Sequence, residues 1–464
     1  MLLTGASGFL GKAVLATLLA GDPPPARVLV LLRAPDQAAA DRRLREEVLG
    51  AAAFAGLDPE PLAEMLGSGR LAALAGDLAA DLGPEADATL AGVETVVNCA
   101  ASVSFEEPLD TILELNACGP ARLLRRLRAV GARPHFVHVS TAYAADCRLP
   151  VVHEQGPIHP GLAALDPDAL LAEARDWRRQ LRASGAAAER ALVGRGRSRA
   201  VAAGWPDTYA LSKALGEQGL LECGGPLTIV RPSIIESALR SPRPGWLEGI
   251  KVADPLILAY AGGGLTHIAG DAANRIDIVP VDLVANACAA ASLAAPPDAP
   301  RTIAIASGAR NPLRIGELAE IVRRSFAAEP LRRRDGSPIP IGELAFVSRR
   351  RAAGRAATRH RLAAGIAALA PPARRKRLRK QAALAGQVRR MVDIYAPYTE
   401  LDCVFDDAEA QALAAALPPP LREALPFDPA EFTWDDYLTD VHLPELRRLA
   451  AGRSSRPTPP VPTP

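Results

Sequence analysis

The chain has 464 residues, which is more than one small core needs and suits two domains, or one large α/β domain with a smaller partner. Hydrophobic residues make up 49% of the sequence and charged residues 23%, a composition that excludes wholesale disorder. The 54 Lys and Arg residues nearly balance the 52 Asp and Glu residues, so the net charge of +2 provides no overall attraction to nucleic acid.

The six cysteines are scattered along the chain, with no C-x-x-C pair and no histidine at zinc-finger spacing. We therefore expect neither a metal site nor a disulfide framework. No run of about 18 apolar residues occurs, and the chain opens on a strand-like Met1-Leu2-Leu3 instead of a basic region followed by an apolar one. These features predict a cytoplasmic protein without a membrane span.

Short runs rich in β-branched residues or leucine alternate with longer helical patterns over the first 300 residues, which is typical of a parallel sheet wrapped by helices. Strands are predicted at 1–4, 27–33, 71–75, 95–99, 135–140, 227–231 and 301–306, and helices at 11–20, 108–130, 209–222 and 282–294. We therefore predict an α/β fold, in which residues 1–310 form a Rossmann-like, doubly wound parallel sheet and residues 311–450 a smaller, mainly helical C-terminal domain.

A long interval separates the fifth predicted strand from the next helical motif. Residues from about 150 to 205 are rich in Ala, Arg and Glu and predict a helical insertion above the carboxyl edge of the sheet. Such an insertion could be a lid, a substrate-facing hairpin or a peripheral helical decoration.

The composition shifts strongly within the C-terminal domain. Residues 349–390 hold fourteen Lys and Arg residues and no Asp or Glu, whereas residues 391–450 are acidic and richer in aromatic residues. The opposite charges indicate that the two halves pack against each other, or that the basic segment binds an anionic partner. The commonest explanation of such a basic segment is a solvated helical face. The functional alternative is peripheral membrane contact through residues 349–380. The Pro-rich residues 451–464 predict a disordered tail.

A glycine-rich turn, Thr4-Gly5-Ala6-Ser7-Gly8-Phe9-Leu10-Gly11, lies between the first predicted strand and an apolar helical pattern. Its G-x-x-G-x-x-G spacing departs from G-x-G-x-x-G, but its position between strand and helix is the context that a dinucleotide site requires. The glycines permit a tight turn, close approach of backbone N–H groups to a pyrophosphate, and close packing of helix on strand. We predict cofactor contacts from Thr4, Gly5, Ser7, Gly8, Phe9, Leu10 and Gly11.

The next three predicted strands end in residues suited to the rest of a dinucleotide. Arg33 stands where NAD-binding folds usually place an acid, so NADP is favoured over NAD, and Asp36 is the residue that could reverse this preference. An Asp at a strand end can accept a hydrogen bond from an adenine amine, and small residues permit close approach of a ribose, although ordinary caps or turns are the alternatives. We predict such contacts from Asp77, Leu78, Asn98 and Ala100.

Tyr209 and Lys213 are four residues apart in a predicted helix, so both side chains project from one face. A free phenol has a pKa of about 10 and is a poor acid–base group near neutrality. We expect the Lys213 ammonium to lower the pKa of Tyr209 and to bind the nicotinamide ribose. Ser140, at the end of the fifth strand, is expected to bind the substrate carbonyl oxygen beside the phenol.

The motifs TGASGFLG, GDL, NCAA, HVST and YALSK, in this order, resemble those of the extended short-chain dehydrogenase/reductases. Further segments resemble the fatty acyl-coenzyme A reductases: IVRPSIIES at 229–237, PGW at 244–246, GIK at 249–251 and IVPVD at 278–282. The residues FDP at 427–429 and WDDY at 434–437 are similar to their C-terminal "sterile"-type domain. The resemblance covers residues 1–310 and, more loosely, 395–447.

This resemblance implies NADPH-dependent reduction of a long-chain acyl thioester of coenzyme A or acyl carrier protein, to an aldehyde and on to a primary alcohol. It implies catalytic positions at Ser140, Tyr209 and Lys213, with Thr141 as an alternative hydroxyl. It also implies cofactor contacts from Pro232, Ser233 and Ile234, and substrate contacts from Thr141, Trp246 and Lys251.

Two other functions are compatible with the same residues. Sugar-nucleotide epimerases or dehydratases and hydroxysteroid dehydrogenases share the glycine loop and the Tyr/Lys pair, but the long insertion and the second domain speak against them. A non-catalytic NADP-binding scaffold, whose basic segment binds RNA or a membrane, is the third hypothesis. The basic segment has no interleaved aromatic residues for base stacking, which weakens the RNA version.

Overall fold

A computed structural model describes residues 1–455 except residues 81, 156–158, 182–184, 251–252 and 334. The strands are β1 (Leu2–Thr4), β2 (Val28–Leu32), β3 (Leu71–Ala75), β4 (Thr95–Asn98), β5 (His135–Val139), β6 (Val151–Val152), β7 (Leu227–Pro232), β8 (Ile234–Glu236), β9 (His267–Ala269), β10 (Ile278–Pro280), β11 (Arg301–Ile305), β12 (Ala345–Val347) and β13 (Val404–Phe405).

The α-helices are α1 (Phe9–Leu19), α2 (Gln37–Arg43), α3 (Pro59–Gly67), α4 (Asp87–Ala91), α5 (Leu109–Leu113), α6 (Gly119–Ala129), α7 (Pro167–Gln180), α8 (Ala186–Ala203), α9 (Thr208–Cys223), α10 (Asp254–Ala261), α11 (Val281–Leu293), α12 (Ile315–Ala328), α13 (Arg349–Leu369), α14 (Pro372–Thr399), α15 (Ala408–Ala416), α16 (Pro419–Ala424), α17 (Trp434–Asp436) and α18 (Leu443–Ser455). None of these helices is both long and apolar enough to cross a bilayer.

The main sheet has seven parallel strands in the order β11-β7-β5-β4-β1-β2-β3. These are the seven strands predicted from the sequence, with ends that differ by one residue at most. The chain builds outward from β1 to β3 and then returns to add β4 on the other side of β1. Ligands of doubly wound sheets bind at such a reversal, so the carboxyl ends of β1 and β4 locate the crevice.

The central strands are buried on both faces, which explains why their sequences are continuous apolar runs. Leu3 and Val137 point to the face covered by α1 and α11, whereas Leu2 and Phe136 point to the face covered by α6 and α9. The predicted helix at 108–130 is a continuous helical stretch in which a π-helical turn at Glu114–Cys118 joins α5 to α6.

The insertion forms α7 and α8, which pack on α5 and α9 and extend the helical layer on one face of the sheet. Apolar residues of both helices, including Trp177 and Leu192, share a core with residues of α5 and α9. Of the alternatives left open by the sequence, this arrangement is the peripheral helical decoration.

The C-terminal region contacts the main sheet at several places. Strand β13 pairs with β6, and α15 packs on β11 and α11. Glu154, just after β6, accepts hydrogen bonds from the backbone N–H groups of Ala304 (2.6 Å) and Ala410 (3.2 Å). Phe427 belongs to the same core as Leu3 of the central strand. The chain on either side of residue 310 therefore shares one core, and the boundary there stays a prediction.

The basic segment forms an antiparallel helical hairpin from α13 and α14. Among its described residues, the only ion pairs to acidic groups are Arg349–Glu400 (3.9 Å) and Arg389–Asp393 (3.8 Å). Most of its cations are therefore not neutralised by the acidic half. Helix α18 extends to Ser455, so the first five residues of the predicted tail are helical, and residues 456–464 lie outside the described residues.

Candidate active site

The glycine turn adopts the conformation that its sequence predicts. Gly5 has a φ of +74°, and a Cβ there would lie 2.5 Å from the backbone N of Ala100 in the neighbouring loop. A Cβ on Gly11 would lie 2.1 Å from the Gly5 carbonyl oxygen. Helix α1 begins at Phe9, and Gly8 at its N-cap offers no side chain to the first N–H groups. These groups, with the positive end of the helix dipole, suit a pyrophosphate.

A buried hydrogen-bond network joins the start of the glycine turn to β4 and β5. The Thr4 hydroxyl donates to Asn98 Oδ1 (2.6 Å), and Asn98 Nδ2 donates to His138 Nδ1 (2.9 Å). The Ala100 N–H donates to the Thr4 hydroxyl (3.2 Å). Thr4 and Asn98 have almost no accessible surface, and their side chains position the loops that follow β1 and β4. The cofactor contacts expected for these two residues stay predictions.

A cavity of about 320 Å³ opens at the carboxyl ends of β1, β4, β5 and β7. Most of the predicted site residues line it: Gly5, Gly8, Phe9, Leu10, Gly11, Ser140, Thr141, Tyr209, Lys213, Pro232, Ser233 and Ile234. Thr4, Ser7, Arg33, Asp77, Leu78, Asn98, Ala100 and Trp246 do not line it, and Lys251 lies outside the described residues.

Helix α9 carries Tyr209 and Lys213 to the cavity. Its N-cap is Asp207, whose Oδ1 accepts a hydrogen bond from the Ala210 N–H over 2.9 Å. Lys213 is buried, and its Nζ donates to the carbonyl oxygen of Val139 at the end of β5 (2.7 Å). Burial lowers the pKa of Lys213 to about 8, although Cys99 and Glu217 act in the opposite direction.

Tyr209 has a pKa shift opposite to the one expected from the sequence. Burial and then the Asp207 carboxylate raise its pKa, and a hydrogen bond with the Thr141 hydroxyl lowers it by less. The expected lowering by Lys213 fails because its ammonium is directed to a backbone carbonyl and not to the phenol. Tyr209 is therefore a neutral phenol, the form that can give a proton to a carbonyl oxygen.

The two candidate hydroxyls at the end of β5 have different surroundings. Thr141 and Tyr209 both line the cavity, and Thr141 Oγ1 accepts a hydrogen bond from the Tyr143 N–H at the start of a short 3₁₀ turn (3.4 Å). Ser140 Oγ is buried and has no hydrogen-bond partner among the described residues. Both hydroxyls predicted from the sequence therefore lie in the cavity wall with Tyr209, and the Thr141 hydroxyl is the one that lowers the pKa of Tyr209.

The C-terminal region supplies cavity residues that the sequence analysis missed. Tyr395 and Tyr398, from the last turns of α14, line the cavity, and Phe105 packs edge-on against both of them and against Tyr209. The Tyr398 hydroxyl donates to Asp207 Oδ2. The excess of aromatic residues after residue 390 was a signal, but nothing in the sequence links them to a helix almost 200 residues earlier.

Two buried carboxyl groups in the cavity wall were also missed. Glu236 and Asp254 line the cavity, and burial together with the Asp254 charge raises the pKa of Glu236 well above its usual value. Asp254 Oδ1 lies 3.1 Å from His442 Nε2, and His442 Nδ1 lies 3.0 Å from Ser237 Oγ. The ligand atoms of Glu236, Asp254 and His442 lie within 4.8 Å of one another, the one such group among the described residues.

The predicted cofactor contacts beyond the cavity lie along the same sheet edge. Arg33 is exposed directly after β2, and its guanidinium forms no hydrogen bond to a described residue. Asp36 is the N-cap of α2 and accepts from the Ala39 N–H (2.7 Å). Asp77 caps its own turn by accepting from the Ala79 N–H (3.0 Å), and Leu78 is buried beside it.

Trp246 lies beneath the cavity instead of in its wall. It is fully buried and packs on Phe9, with ring centroids 4.8 Å apart. Two residues later, Glu248 forms an ion pair with Lys12 of α1 (2.8 Å). Trp246 thus holds the 244–248 segment against the helix that follows the glycine turn, and the substrate contact expected for it stays a prediction.

Comparison with known proteins identifies the family. An NAD-binding family model described as male sterility protein matches residues 3–288. Fatty acyl-CoA reductase 1 of Arabidopsis thaliana is 30% identical over 96% of this chain and 96% of its own. The chain belongs to the fatty acyl-CoA reductase family. It is also 30% identical to the alcohol-forming fatty acyl-CoA reductase of Simmondsia chinensis, over 96% of this chain and 95% of that one. As a member of this family it is a nicotinamide-dependent oxidoreductase.

Solved structures confirm the fold. The terminal R domain from the myxalamid PKS-NRPS biosynthetic pathway superimposes with a TM-score of 0.62, at 16% identity, over 99% of this chain and 92% of that chain. The reductase domain of a non-ribosomal peptide synthetase from Mycobacterium tuberculosis gives a TM-score of 0.56 at 20% identity, over 97% and 91% of the two chains. The resemblance noted in the sequence, and the fold it implied, are confirmed.

Proposed function

We propose that this fatty acyl-CoA reductase family member uses NADPH to reduce a long-chain acyl-CoA, through the aldehyde, to a primary alcohol. The observation that carries the proposal is that Tyr209, Thr141 and Lys213 line one cavity together with the glycine turn. The relatives' names, which include fatty acyl-CoA reductase and alcohol-forming fatty acyl-CoA reductase, support the substrate and product.

The glycine turn supports binding of a dinucleotide, and Arg33 supports NADPH in preference to NADH. The close approaches at Gly5 and Gly11 and the uncapped start of α1 suit the pyrophosphate. Arg33 can pair with a 2′-phosphate, and Asp36, which would favour the free 2′-hydroxyl of NADH, is committed to capping α2. When bound, the reduced nicotinamide supplies a hydride to the carbonyl carbon.

Tyr209 and Thr141 act on the carbonyl oxygen. The Thr141 hydroxyl orients the oxygen, and Tyr209 donates its proton to the negative charge that develops there. The product at this stage is a hemithioacetal. Its C–S bond then breaks: the hydroxyl proton returns to the Tyr209 phenolate as the aldehyde carbonyl forms, and coenzyme A leaves as a thiolate that takes a proton from water. In the second reduction Tyr209 donates its proton to the aldehyde oxygen while a second NADPH supplies the hydride, which gives the alcohol, and water reprotonates the phenolate.

The cavity also disfavours an acyl-enzyme route. Cys99 is a cysteine in the cavity wall, and burial raises the pKa of its thiol to about 12. The thiolate is the nucleophilic form, so this side chain stays unreactive at neutral pH. Direct hydride transfer to the thioester needs no such nucleophile.

Substitution Tyr209→Phe tests the proposal. It removes the proton donor and preserves the ring that packs on Phe105. We expect NADPH oxidation in the presence of palmitoyl-CoA to be abolished, while NADPH binding, measured by fluorescence, is retained. For the unmodified enzyme, gas chromatography should show hexadecanol and two NADPH consumed per alcohol. Normal turnover by the Phe variant would refute the mechanism, and accumulation of aldehyde alone would refute the second reduction.

A further inference from the structure

In the described part of the chain, the hydrogen bonds and core packing that anchor the helical hairpin of α13 and α14 to the rest of the protein lie at its inner end. Arg359 Nη1 donates to the Gly264 carbonyl oxygen (2.7 Å), and Val388 and Val392 belong to the core around α10 and α12. Beyond these residues lies the outer half of the hairpin, residues 360–387. Every hydrogen bond of its described residues stays within the hairpin, such as that between His360 Nδ1 and the Ala382 carbonyl (3.2 Å).

Large apolar side chains are exposed on this outer half. The exposed fractions are 62% for Leu362, 58% for Ile366, 89% for Leu369 and 57% for Leu384, and these are four of the ten exposed large hydrophobic residues in the described chain. Residues 362, 366 and 369 follow helical spacing and lie on one face of α13, with Leu369 at the turn between the helices. Exposure of several large apolar side chains to water is unfavourable, so such a group of residues indicates a binding surface.

The same surface is strongly cationic. Arg361, Arg374, Lys376, Arg379 and Lys380 are exposed on the outer half, and residues 349–390 contain no Asp or Glu. Cations that flank a strip of leucine and isoleucine are the pattern of a helix lying in the interface of an anionic bilayer. The cations pair with lipid phosphates, and the apolar side chains enter the region between headgroups and acyl chains.

Other occupants fit this surface less well. A second copy of the chain would bring like charges together. Residues 349–390 hold no Phe, Trp or Tyr for base stacking, which disfavours single-stranded nucleic acid. The phosphates of a free coenzyme A would pair with the cations but would leave the exposed leucines in water.

We propose that the outer half of the hairpin, residues 360–387, docks on membranes that contain anionic phospholipid, with Leu362, Ile366 and Leu369 inserted at the headgroup level. This goes beyond the proposed reductase activity and does not depend on it. Helix α14 ends at the cavity residues Tyr395 and Tyr398, so one helix connects the docking surface with the active site. At 1.5 Å per residue, the helix from Pro372 to Tyr395 is about 35 Å long.

Vesicle co-sedimentation of the full chain, without substrate or cofactor, tests the docking. The vesicles are pure phosphatidylcholine or phosphatidylcholine with about one-third phosphatidylglycerol. We expect the protein to sediment with the anionic vesicles only, and to be released at high salt. The triple variant L362S/I366S/L369S and the charge variant R374E/K380E should each lower the vesicle partition coefficient about tenfold or more.

Matched controls carry equivalent changes elsewhere on the surface. V201S/L221S/L293S alters three other exposed apolar residues, and R42E/R45E makes the same change in net charge near the second strand. Both should bind vesicles like the unmodified protein, and circular dichroism and thermal melting identify any variant that fails to fold. Variants that fail to fold are set aside on these measurements, so the vesicle results come from folded protein only.

Four outcomes would overturn the proposal. The first is equal binding to neutral and anionic vesicles, and the second is an equal loss of vesicle binding in the control variants. The third is sedimentation of the protein without vesicles, if the L362S/I366S/L369S variant abolishes it. The fourth is displacement of the protein from vesicles by free coenzyme A, if the L362S/I366S/L369S variant still binds vesicles fully. The last two would indicate self-association and a soluble phosphate ligand. Because no turnover is measured, loss of docking and failure of the reductase proposal remain distinguishable.

Discussion

The hydroxyl of Tyr398 donates a hydrogen bond to Asp207 Oδ2 over 2.5 Å, although the two residues are 191 positions apart in the chain. Asp207 is the N-cap of α9, the helix that presents Tyr209 and Lys213, and Tyr398 is near the end of α14. The C-terminal region therefore fixes the start of the helix that carries the proposed proton donor. Both residues are buried, so water does not compete for this contact.

Substitution Tyr398→Phe removes this hydrogen bond and keeps the ring. A buried hydrogen bond to a charged group contributes about 2 kcal/mol, so we expect the free energy of unfolding, from urea titration, to fall by about that amount. Loss of precise placement of Tyr209 should lower kcat about tenfold. Tyr260→Phe is the control, since its hydroxyl donates to the Gly342 carbonyl (2.8 Å) and neither residue lines the cavity. Equal kcat losses in the two variants would contradict a positioning role for Tyr398.

The paired substitutions Thr141→Ala and Ser140→Ala distinguish the two hydroxyls. The Thr141 hydroxyl lowers the pKa of Tyr209, whereas Ser140 Oγ has no partner among the described residues. Removing a donor to a developing oxyanion costs a factor of about 100 to 1000 in kcat, and we expect that loss for Thr141→Ala. Ser140→Ala should lose less than about tenfold. The reverse order in steady-state rates with palmitoyl-CoA would restore Ser140 as the oxygen-binding hydroxyl.

Lys213 should make the stability of the cofactor-free protein depend on pH. Its pKa is lowered on folding from 10.5 to about 8, so the unfolded chain binds more protons between these values and the free energy of unfolding rises with pH across that window. Below pH 8 the buried ammonium costs on the order of 3 kcal/mol. Lys213→Met should therefore be more stable than the unmodified protein at pH 7, and the difference should shrink towards pH 10. If the free energies of unfolding of the two proteins differed by the same amount at every pH, burial would not destabilise the Lys213 ammonium.

Arg33 should determine the choice between the two nicotinamide cofactors. It is exposed at the end of β2, and Asp36 is engaged as a helix cap. Loss of a charged partner for the 2′-phosphate should raise the KM for NADPH about 10- to 100-fold in Arg33→Ala and leave the KM for NADH almost unchanged. Arg42→Ala, an exposed arginine in α2, is the matched control. An equal rise for both cofactors would refute the assignment.

The sheet could be predicted from the sequence because its signal is local. Strands such as β2 are buried on both faces and read as unbroken apolar runs, and the glycine turn must lie between a strand and a helix to have its function. The insertion could not be placed, because its helices are amphipathic and amphipathicity does not specify which layer they cover. The structure places α7 and α8 on the helical layer, and no described residue of either lines the cavity.

The active site was predicted where chemistry follows from spacing, as for Tyr209 and Lys213 in one helix. The direction of the Tyr209 pKa shift was wrong, because spacing gives distance along a helix but not burial or the nearby Asp207 carboxylate. Asp254, Tyr395 and Tyr398 were missed because they reach the cavity through long-range packing, whereas Glu236 was missed although it lies two residues after Ile234 in the IVRPSIIES segment. No local pattern distinguishes such residues from ordinary core or surface positions.

The cavity is completed by Tyr395 and Tyr398, which belong to the last quarter of the polypeptide. A ribosome therefore releases the nucleotide-binding sheet well before Tyr398 can reach Asp207. Because Phe427 shares a core with Leu3 of β1, premature termination after the sheet would remove core packing as well as part of the cavity wall, so we expect the truncated chain to lose stability together with turnover.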